Sequence, residues 1–273
     1  MLDFVVDRER CVHCGECLAA CGRGVLVDNG AGGPEAPPEN EAYCNFCGHC
    51  SAVCPTGAVI SPGCNGERAA PLDFGSPVDF AAASRFLLSC RSLRRFREEE
   101  VSREKILEII DVARRAPTAS NAQALRWLVM SGREKARRFT ALTMEWFDSA
   151  VRLDPVLNGR YGVDRMMAGY RKGHDPILRG APCAVFVMSG KNALWGPVDS
   201  SIALTYFCLA ASAGGIGSCW CGFGITALRA YAPLRGFLGL DDDTAVQAMA
   251  FFGYPALRYR SLPPRRPPDL SWL

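Results

Sequence analysis

The chain has 273 residues and a formal net charge of +3, with 49% hydrophobic and 22% charged residues. These globular values exclude a wholly disordered or collagen-like chain, and the length favours about two domains. The small net charge argues against a nucleic acid as partner. Residues 1–63 carry three arginines and eight acidic residues, a net −5, which leaves +8 for the remainder. We therefore expect an acidic N-terminal domain followed by a basic one.

Eight of the fourteen cysteines fall in two short runs near the N-terminus. Residues 11–21 and 44–54 both have the spacing C-x-x-C-x-x-C-x-x-x-C. The first nine residues carry acids where a signal peptide needs a basic flank and an apolar run, so we expect a cytoplasmic protein. In a reducing cytosol, clustered cysteines are more often metal ligands than disulfides.

The repeated cysteine spacing is that of an iron–sulfur protein, because C-x-x-C-x-x-C supplies three of the four thiolates of a [4Fe-4S] cluster from one loop. Residues 3–62 resemble the bacterial two-cluster ferredoxins. That resemblance implies that each run donates its last cysteine to the other run's cluster. The implied ligand sets are Cys11, Cys14, Cys17 and Cys54 for one cluster, and Cys44, Cys47, Cys50 and Cys21 for the other. The alternative is a pair of zinc sites with four cysteines each.

A Gly- and Pro-rich stretch follows the cysteine runs. We expect a ferredoxin-like domain over residues 1–63, a linker over 64–79 and a second domain over 80–273. In that second domain, Ser102 is predicted to cap a helix that ends at 116–117.

Strands are predicted over residues 125–131, 182–189 and 244–252. Residues 133–175 are predicted to be mixed helix and irregular chain. Residues 200–228 carry no charge, but glycines interrupt them. The part compatible with a helix, 199–213, is too short for a membrane span. The stretch predicts a buried helix, a glycine turn and a short buried strand.

Four short motifs of the second domain bear on its chemistry: R-S-x-R-x-F at 91–96, A-P-x-A-S-N-x-Q at 116–123, G-G-I-G-S-C-W at 214–220 and G-Y-P at 253–255. Guanidinium and hydroxyl groups in the first motif suit a phosphate. Glycines in the third let main-chain amides approach a ligand. The first, second and fourth motifs have ordinary alternatives, which are a solvated basic helix face, a turn and a flexible basic tail, respectively.

Taken together and in this order, the four motifs resemble the FMN-dependent nitroreductase family over about residues 80–273. The resemblance implies an α+β fold, a nitroreductase-like FMN-binding sandwich, that forms a homodimer with FMN at the interface. It implies phosphate contacts from Arg91, Ser92 and Arg94, assisted by Arg265 or Arg266. Ser120, Asn121 and Gln123 would lie near the flavin ring and ribityl chain, and the main chain of Gly215, Ile216 and Gly217 would surround the flavin.

The sequence thus predicts a flavoenzyme in which a fused 2[4Fe-4S] module passes electrons to FMN for reduction of a small organic acceptor. The resemblance suggests a nitroaromatic or a quinone as acceptor, with NAD(P)H or a reduced protein as donor. Flavin N5 would carry the chemistry, and no catalytic side chain is predicted. The alternatives are an electron-transfer or redox-sensing module that docks to a partner without its own organic substrate, and a zinc-stapled binding protein. Neither a nucleic acid nor a membrane is expected as partner.

Two further groups of residues are interpreted as structural. Trp146, Phe147, Tyr161 and Tyr170 lie where the family varies its active-site cover, and core packing is favoured over that role. Cys64, Cys183, Cys208, Cys219 and Cys221 have no repeated ligand spacing and are interpreted as small buried hydrophobic residues.

Overall fold

A computed structural model describes residues 3–30, 33–63, 66–70 and 78–273. The chain forms two compact units, one from residues 1–77 and 118–123 and the other from residues 78–117 and 124–273. Most of the expected linker, 64–79, lies outside the described residues, and the domain boundaries stay predictions. The sequence did not predict that residues 118–123 belong to the first unit.

The first unit is built from short elements around four buried residues. Its strands are β1 (Val5–Val6), β2 (Val27–Asp28), β3 (Pro34–Glu35) and β4 (Val59–Ile60), and its helices are α1 (Glu16–Ala20) and α2 (His49–Ala52). Short 3-10 helices cover Pro38–Tyr43 and Ala119–Asn121. Strand β1 pairs with β4, and β2 pairs with β3, both antiparallel. Cys17, Val25, Leu26 and Val59 form the core.

The backbone of this unit repeats with a period of 33 residues, the offset between the two cysteine runs. His13 and Phe46 both have φ of 55°, and Gly15 and Gly48, which precede α1 and α2, have φ of 75° and 73°. A left-handed glycine turns each cysteine loop into its helix, because a residue with a Cβ is disfavoured there. The internal repeat seen in the sequence is thus a repeat of conformation.

The second unit contains the longer elements. They are α3 (Phe80–Ser89), α4 (Arg103–Ala113), β5 (Arg126–Ser131), α5 (Arg133–Leu153), α6 (Val156–Tyr161), α7 (Val163–Arg171), β6 (Cys183–Gly190), α8 (Gly196–Ala213), β7 (Gly217–Trp220), α9 (Gly222–Ala230), α10 (Ala232–Phe237) and β8 (Thr244–Gly253). The four strands form one antiparallel sheet in the order β5-β6-β8-β7.

Helices cover both faces of this sheet. Since successive side chains of a strand point to opposite faces, Cys183, Val185 and Val187 of β6 pack with α4 and α8. Ala184 and Phe186 pack with α5, α7, α9 and α10. A central strand covered on both sides is almost wholly apolar, which explains the sequence of β6. The result is a three-layer α+β sandwich, in agreement with the predicted fold class.

The predicted elements of the second unit are mostly present. The three predicted strands correspond to β5, β6 and β8, and Ser102 caps α4 by accepting a hydrogen bond from the N–H of Lys105 at 3.2 Å. Two predictions need correction. Residues 133–171 are mainly three helices, and β7 lies at the sheet edge with Trp220 44% exposed, so it is not a fully buried strand.

The structural interpretation of the aromatic and cysteine residues also agrees with the structure. Phe147 is fully buried, with Trp146, Tyr161 and Tyr170 packed against its cluster. Cys183, Cys219 and Cys221 are buried and Cys208 is half-buried, while Cys64 lies outside the described residues. No helix among the described residues is long and apolar enough to cross a membrane.

Candidate functional site

A thiol-lined cavity lies in the first unit. Its volume is about 270 Å³, and its lining includes Cys21, Cys44, Cys47 and Cys50. These are the four residues of one predicted ligand set, although they come from both cysteine runs. We call this the second cluster site. A cavity bordered by four thiols fits a [4Fe-4S] cluster, which cysteine thiolates hold.

The other predicted set is called the first cluster site, and its thiols are also brought together. Burial raises the pKa of Cys17, and the charges of Cys14 and Cys54 add to this effect. Cys11 Sγ lies against Gly33, where a Cβ would come within 3.1 Å of the sulfur. Because the charge of Cys54 acts on Cys17, Cys54 lies with the thiols of the first run, as the interleaved arrangement requires.

Equivalent electrostatic effects act at the second cluster site. Burial raises the pKa of Cys50 to about 11, and the charges of Cys47 and Cys21 add to this. The pKa of the last cysteine of each run shifts in the opposite direction, downward. Burial opposes ionisation of Cys21 and Cys54, but main-chain N–H groups outweigh it and lower both pKa values.

The hydrogen bonds at these last cysteines follow the 33-residue repeat. The N–H of Val25 donates to Cys21 Sγ at 3.3 Å, and that of Ala58 donates to Cys54 Sγ at 3.2 Å. Among the described residues, no three His, Cys, Asp or Glu side chains lie close enough to chelate a single ion. A four-iron cluster is larger than one ion, and the thiols that bind it stand farther apart. His13 and His49, inside the runs, are exposed.

In the second unit, three of the four sequence motifs come together beside β7. Ser92 forms a parallel bridge with Ser218, and the N–H of Leu93 donates to the carbonyl of Ser218 at 2.9 Å. Phe96 bridges antiparallel to Pro255. The segment 91–97 is therefore fixed between β7 and the end of β8.

Three adjoining cavities, of about 790, 170 and 350 Å³, run along this edge of the sheet. The first and second share Arg91, Ile216 and Gly217, and the second and third share Cys219 and Trp220. Arg91, Arg97 and Arg258 line the largest cavity, and Arg94 and Arg179 line the 350 Å³ cavity. The connected cavities suit an elongated ligand with an anionic group.

The glycines of the third motif serve different purposes. Gly215 has φ of +76° and open space around its Cβ position, so it is needed for its backbone conformation. At Gly217 a Cβ would lie 2.2 Å from Leu93 Cδ2. The missing side chain there accommodates Leu93, in contrast to the predicted approach of a ligand.

The remaining predicted residues are more widely distributed. Ser92 lines the 170 Å³ cavity and Arg94 the 350 Å³ cavity. Arg265 and Arg266 lie in the exposed C-terminal tail and do not line the described cavities. Ser120, Asn121 and Gln123 belong to the first unit. All three have positive φ, with values of 51°, 55° and 47°, which is unusual for residues other than glycine.

Of the arginines that follow G-Y-P and were considered for the phosphate, Arg258 lines the largest cavity. Sequence reasoning did not assign Arg97 or Trp220 to the site, although Trp220 ends the third motif. Arg97 enters the cavity wall because its N–H donates to the carbonyl of Tyr254 at 2.9 Å, a contact that no local pattern reveals.

Comparison with known proteins places this arrangement in a family. Residues 87–254 match the sequence model of the Nitroreductase family, and residues 10–58 match that of the 4Fe-4S dicluster domain. A curated relative from Thermus thermophilus, named NADH dehydrogenase, is 29% identical over 182 residues, which are 62% of this chain and 84% of that relative.

Solved structures share the fold of the second unit. A nitroreductase with bound FMN from Bacteroides fragilis has a TM-score of 0.56 at 18% identity. Another from Desulfitobacterium hafniense has a TM-score of 0.57 at 21% identity. Each alignment covers 70% of this chain and 97% of the other.

These matches confirm the predicted fold, the two predicted [4Fe-4S] clusters and the enzyme class, a flavin-dependent oxidoreductase. The family match spans more than half of the residues, includes the R-S-x-R-x-F, A-P-x-A-S-N-x-Q and G-G-I-G-S-C-W motifs, and ends within G-Y-P. The chain is therefore a member of the Nitroreductase family that also carries a 4Fe-4S dicluster domain.

Proposed function

We propose that the flavin is FMN and that the dicluster domain supplies it with electrons for reduction of a small organic acceptor such as a nitroaromatic or a quinone. The observation that carries the proposal is the run of connected cavities along β7, in which Arg91, Arg97 and Arg258 line the largest cavity and Trp220 lines the other two. A pure electron relay has no need of such a connected groove. The cavities thus favour an enzyme over a docking module.

Different residues of this chain bind the phosphate and the flavin ring of FMN. Arg91 and Ser92, with Arg97 and Arg258, hold the phosphate by charge-assisted hydrogen bonds. The main chain of Gly215, Ile216 and Gly217 forms a wall beside the flavin. When bound, FMN carries hydride or single electrons at N5.

The other residues predicted to contact FMN remain part of the proposal. Arg94 lines the 350 Å³ cavity beside Trp220, at the opposite end of the connected cavities from Arg97 and Arg258, and its contact with the phosphate is part of the proposal. The contacts that the family resemblance implies, Arg265 or Arg266 with the phosphate and Ser120, Asn121 and Gln123 near the ring or ribityl chain, are proposed on that resemblance alone.

The homodimer is also part of the proposal, and helix α3 supports it. None of the residues of α3 is buried, even its large apolar ones: Phe80, Leu87 and Leu88 are 87%, 54% and 53% exposed. An apolar helix without a buried face is expected to pack against a partner. A second copy of the chain is the partner that we propose.

The donor, the compartment and the domain boundaries complete the proposal. Electrons come from NAD(P)H or from a reduced donor protein, and the protein works in the cytoplasm, where cysteine thiols stay reduced. The dicluster domain covers residues 1–63, and the flavin domain covers 80–273.

The test is the cofactor content and turnover of protein purified without oxygen. We expect about eight iron, eight sulfide and one FMN per chain, and saturable reduction of a nitroaromatic or a quinone. Arg91→Ala is expected to lose FMN, whereas Arg103→Ala, at an exposed arginine on α4, is expected to keep it. Clusters without flavin, or flavin without saturable turnover of any such acceptor, would contradict the proposal.

A further inference from the structure

The 33-residue repeat gives the two cluster sites nearly equivalent backbones, yet two side chains distinguish them. Both act on the second cluster site, the one lined by Cys21, Cys44, Cys47 and Cys50. One is Asn121, and the other is Arg23. Because reduction potentials depend on hydrogen bonds and nearby charge, this asymmetry bears on how electrons distribute between the sites.

Asn121 binds the cysteine loop of the second cluster site. Its Nδ2 donates to the main-chain oxygens of Asn45 at 3.1 Å and Phe46 at 2.9 Å, two residues that lie between Cys44 and Cys47. The repeat-equivalent residues of the first cluster site are Val12 and His13. Their carbonyls accept no side-chain hydrogen bond from the residues that the structure describes.

These two hydrogen bonds orient the peptide groups of the loop. In a trans peptide the C=O and the N–H point in opposite directions, and no peptide bond among the described residues is cis. With their carbonyl partners directed toward Asn121, the N–H groups of Phe46 and Cys47 point away from it. N–H groups held toward the sulfurs of a bound cluster stabilise its more negative, reduced state.

Arg23 adds a positive charge to the same site. It is part of the cavity lining, and its guanidinium donates to Ser120 Oγ at 3.0 Å, which holds the side chain in place. The repeat-equivalent residue at the first cluster site is the neutral Thr56, whose Oγ1 lies 3.7 Å from Cys54 Sγ. Arg10 and Arg68, near the first cluster site, both pair with the carboxylate of Asp7, whereas Arg23 has no acidic partner among the described contacts. The charge of Arg23 therefore favours reduction of the second cluster.

We propose that Asn121 and Arg23 are positioning residues that give the second cluster site the higher reduction potential of the two. One electron then passes from the reduced cluster at the first site to the oxidised cluster at the second, with no proton taken up, so electrons collect at the second site before they leave the domain. The inference rests on the proposed function only for the destination of those electrons. It gives Asn121 a role toward a cluster in addition to any contact with flavin.

The test follows both clusters by electron paramagnetic resonance at a series of applied potentials, on the full chain with its clusters loaded. We expect two separate potentials. Asn121→Gly and Arg23→Thr should each lower the higher potential and leave the lower unchanged, and the double variant should narrow the gap most.

Two matched variants serve as controls. Gln123→Gly also places a glycine at a positive φ on the same segment. The Gln123 side chain donates no hydrogen bond to the loop among the described contacts, so the difference between the two cluster potentials should be unchanged. Arg23→Lys keeps the charge and should preserve most of the gap.

The proposal is overturned if the lower potential falls and the gap widens, if both potentials shift equally, or if neither moves. Iron content is measured for each variant, and if Asn121→Gly loses iron, the comparison of Arg23→Thr with Arg23→Lys decides. Failure of the proposed function, seen as missing FMN or absent turnover, leaves both cluster potentials measurable and is therefore distinct.

Discussion

Cys47 is an exposed thiol, yet it lies beside three half-buried ones around the cavity of the second cluster site. Cys47→Ala removes one of the four thiolates, and we expect about half of the iron to be lost. Cys219→Ala is the matched control, because Cys219 is a buried thiol of the other unit and belongs to neither ligand set. Iron and sulfide analysis measures both, and full iron in Cys47→Ala would contradict the ligand assignment.

Gly217 is a second residue with a specific requirement. A methyl group there would overlap Leu93, so Gly217→Ala should destabilise the protein by about 1–3 kcal/mol through overpacking. Thermal unfolding measures this. Gly222→Ala, where a Cβ meets nothing within 4 Å, should have little effect. Leu93→Ala removes a buried side chain and is itself destabilising, but the double variant should lose less than the sum of the two single losses. Equal effects of Gly217→Ala and Gly222→Ala would contradict this account.

Individual residues were predictable where chemistry depends on spacing along the chain. The eight cysteines are recognisable because the cluster requires thiolates at fixed intervals. The reason for Gly217 was not predictable, because Leu93 is more than a hundred residues distant in sequence. Arg97 was missed for the same reason, since a contact with Tyr254 determines its position.

Helix α4 depends on the cap that its sequence predicted. Ser102→Ala removes the hydrogen bond to the N–H of Lys105, and the expected cost is about 1 kcal/mol in the free energy of unfolding. Ser201→Ala is a suitable control, because that hydroxyl bonds back to Pro197 within a formed helix turn and should contribute little. Chemical denaturation compares the two, and an equal loss would show that the cap is unimportant.

The elements that packing makes apolar were the ones that sequence predicted well. Strands β6 and β8 are largely buried, and strands covered on both faces form nearly continuous apolar runs. Helix α5 was missed as a single long helix, although its buried residues Phe139, Thr143 and Phe147 recur at helical spacing. Polar threonines on the buried face weakened that pattern.

The proposed dimer can be tested through helix α3. Leu87→Glu places a charge on a 54% exposed apolar residue, and we expect the dimer to dissociate because an unpaired charge in an interface is costly. Leu107→Glu on α4 changes an equally exposed leucine and should leave the assembly intact. Light scattering after gel filtration gives the mass, and a dimer in both variants would exclude α3 from the interface.

The charge distribution predicts how a protein donor would behave. Residues 1–63 carry a net charge of −5, so a basic electron donor should be attracted to them, and salt should screen that attraction. We expect the rate of reduction by such a donor to fall steeply as ionic strength rises. Reduction by a small neutral dye is the reference, and a flat salt dependence with the protein donor would contradict charge-guided docking.

At the scale of the whole molecule, the sequence predicted two parts of opposite charge and different chemistry. It did not predict that residues 118–123 belong with the first unit. Local patterns report the residues within one element, whereas the partners of this segment, Asn45 and Phe46, lie more than seventy residues before it.

Because the first unit is discontinuous in sequence, it is complete only after part of the second unit has been synthesised. The ribosome completes the cysteine runs first, but about 40 residues of the sheet unit must follow before the segment that holds their second loop is synthesised. At roughly 5–20 residues per second, several seconds pass before the last segment of the first unit is synthesised. During that interval the loop of Asn45 and Phe46 has no partner in Asn121, which leaves a period early in biosynthesis when the thiols of this loop are most open to cluster delivery.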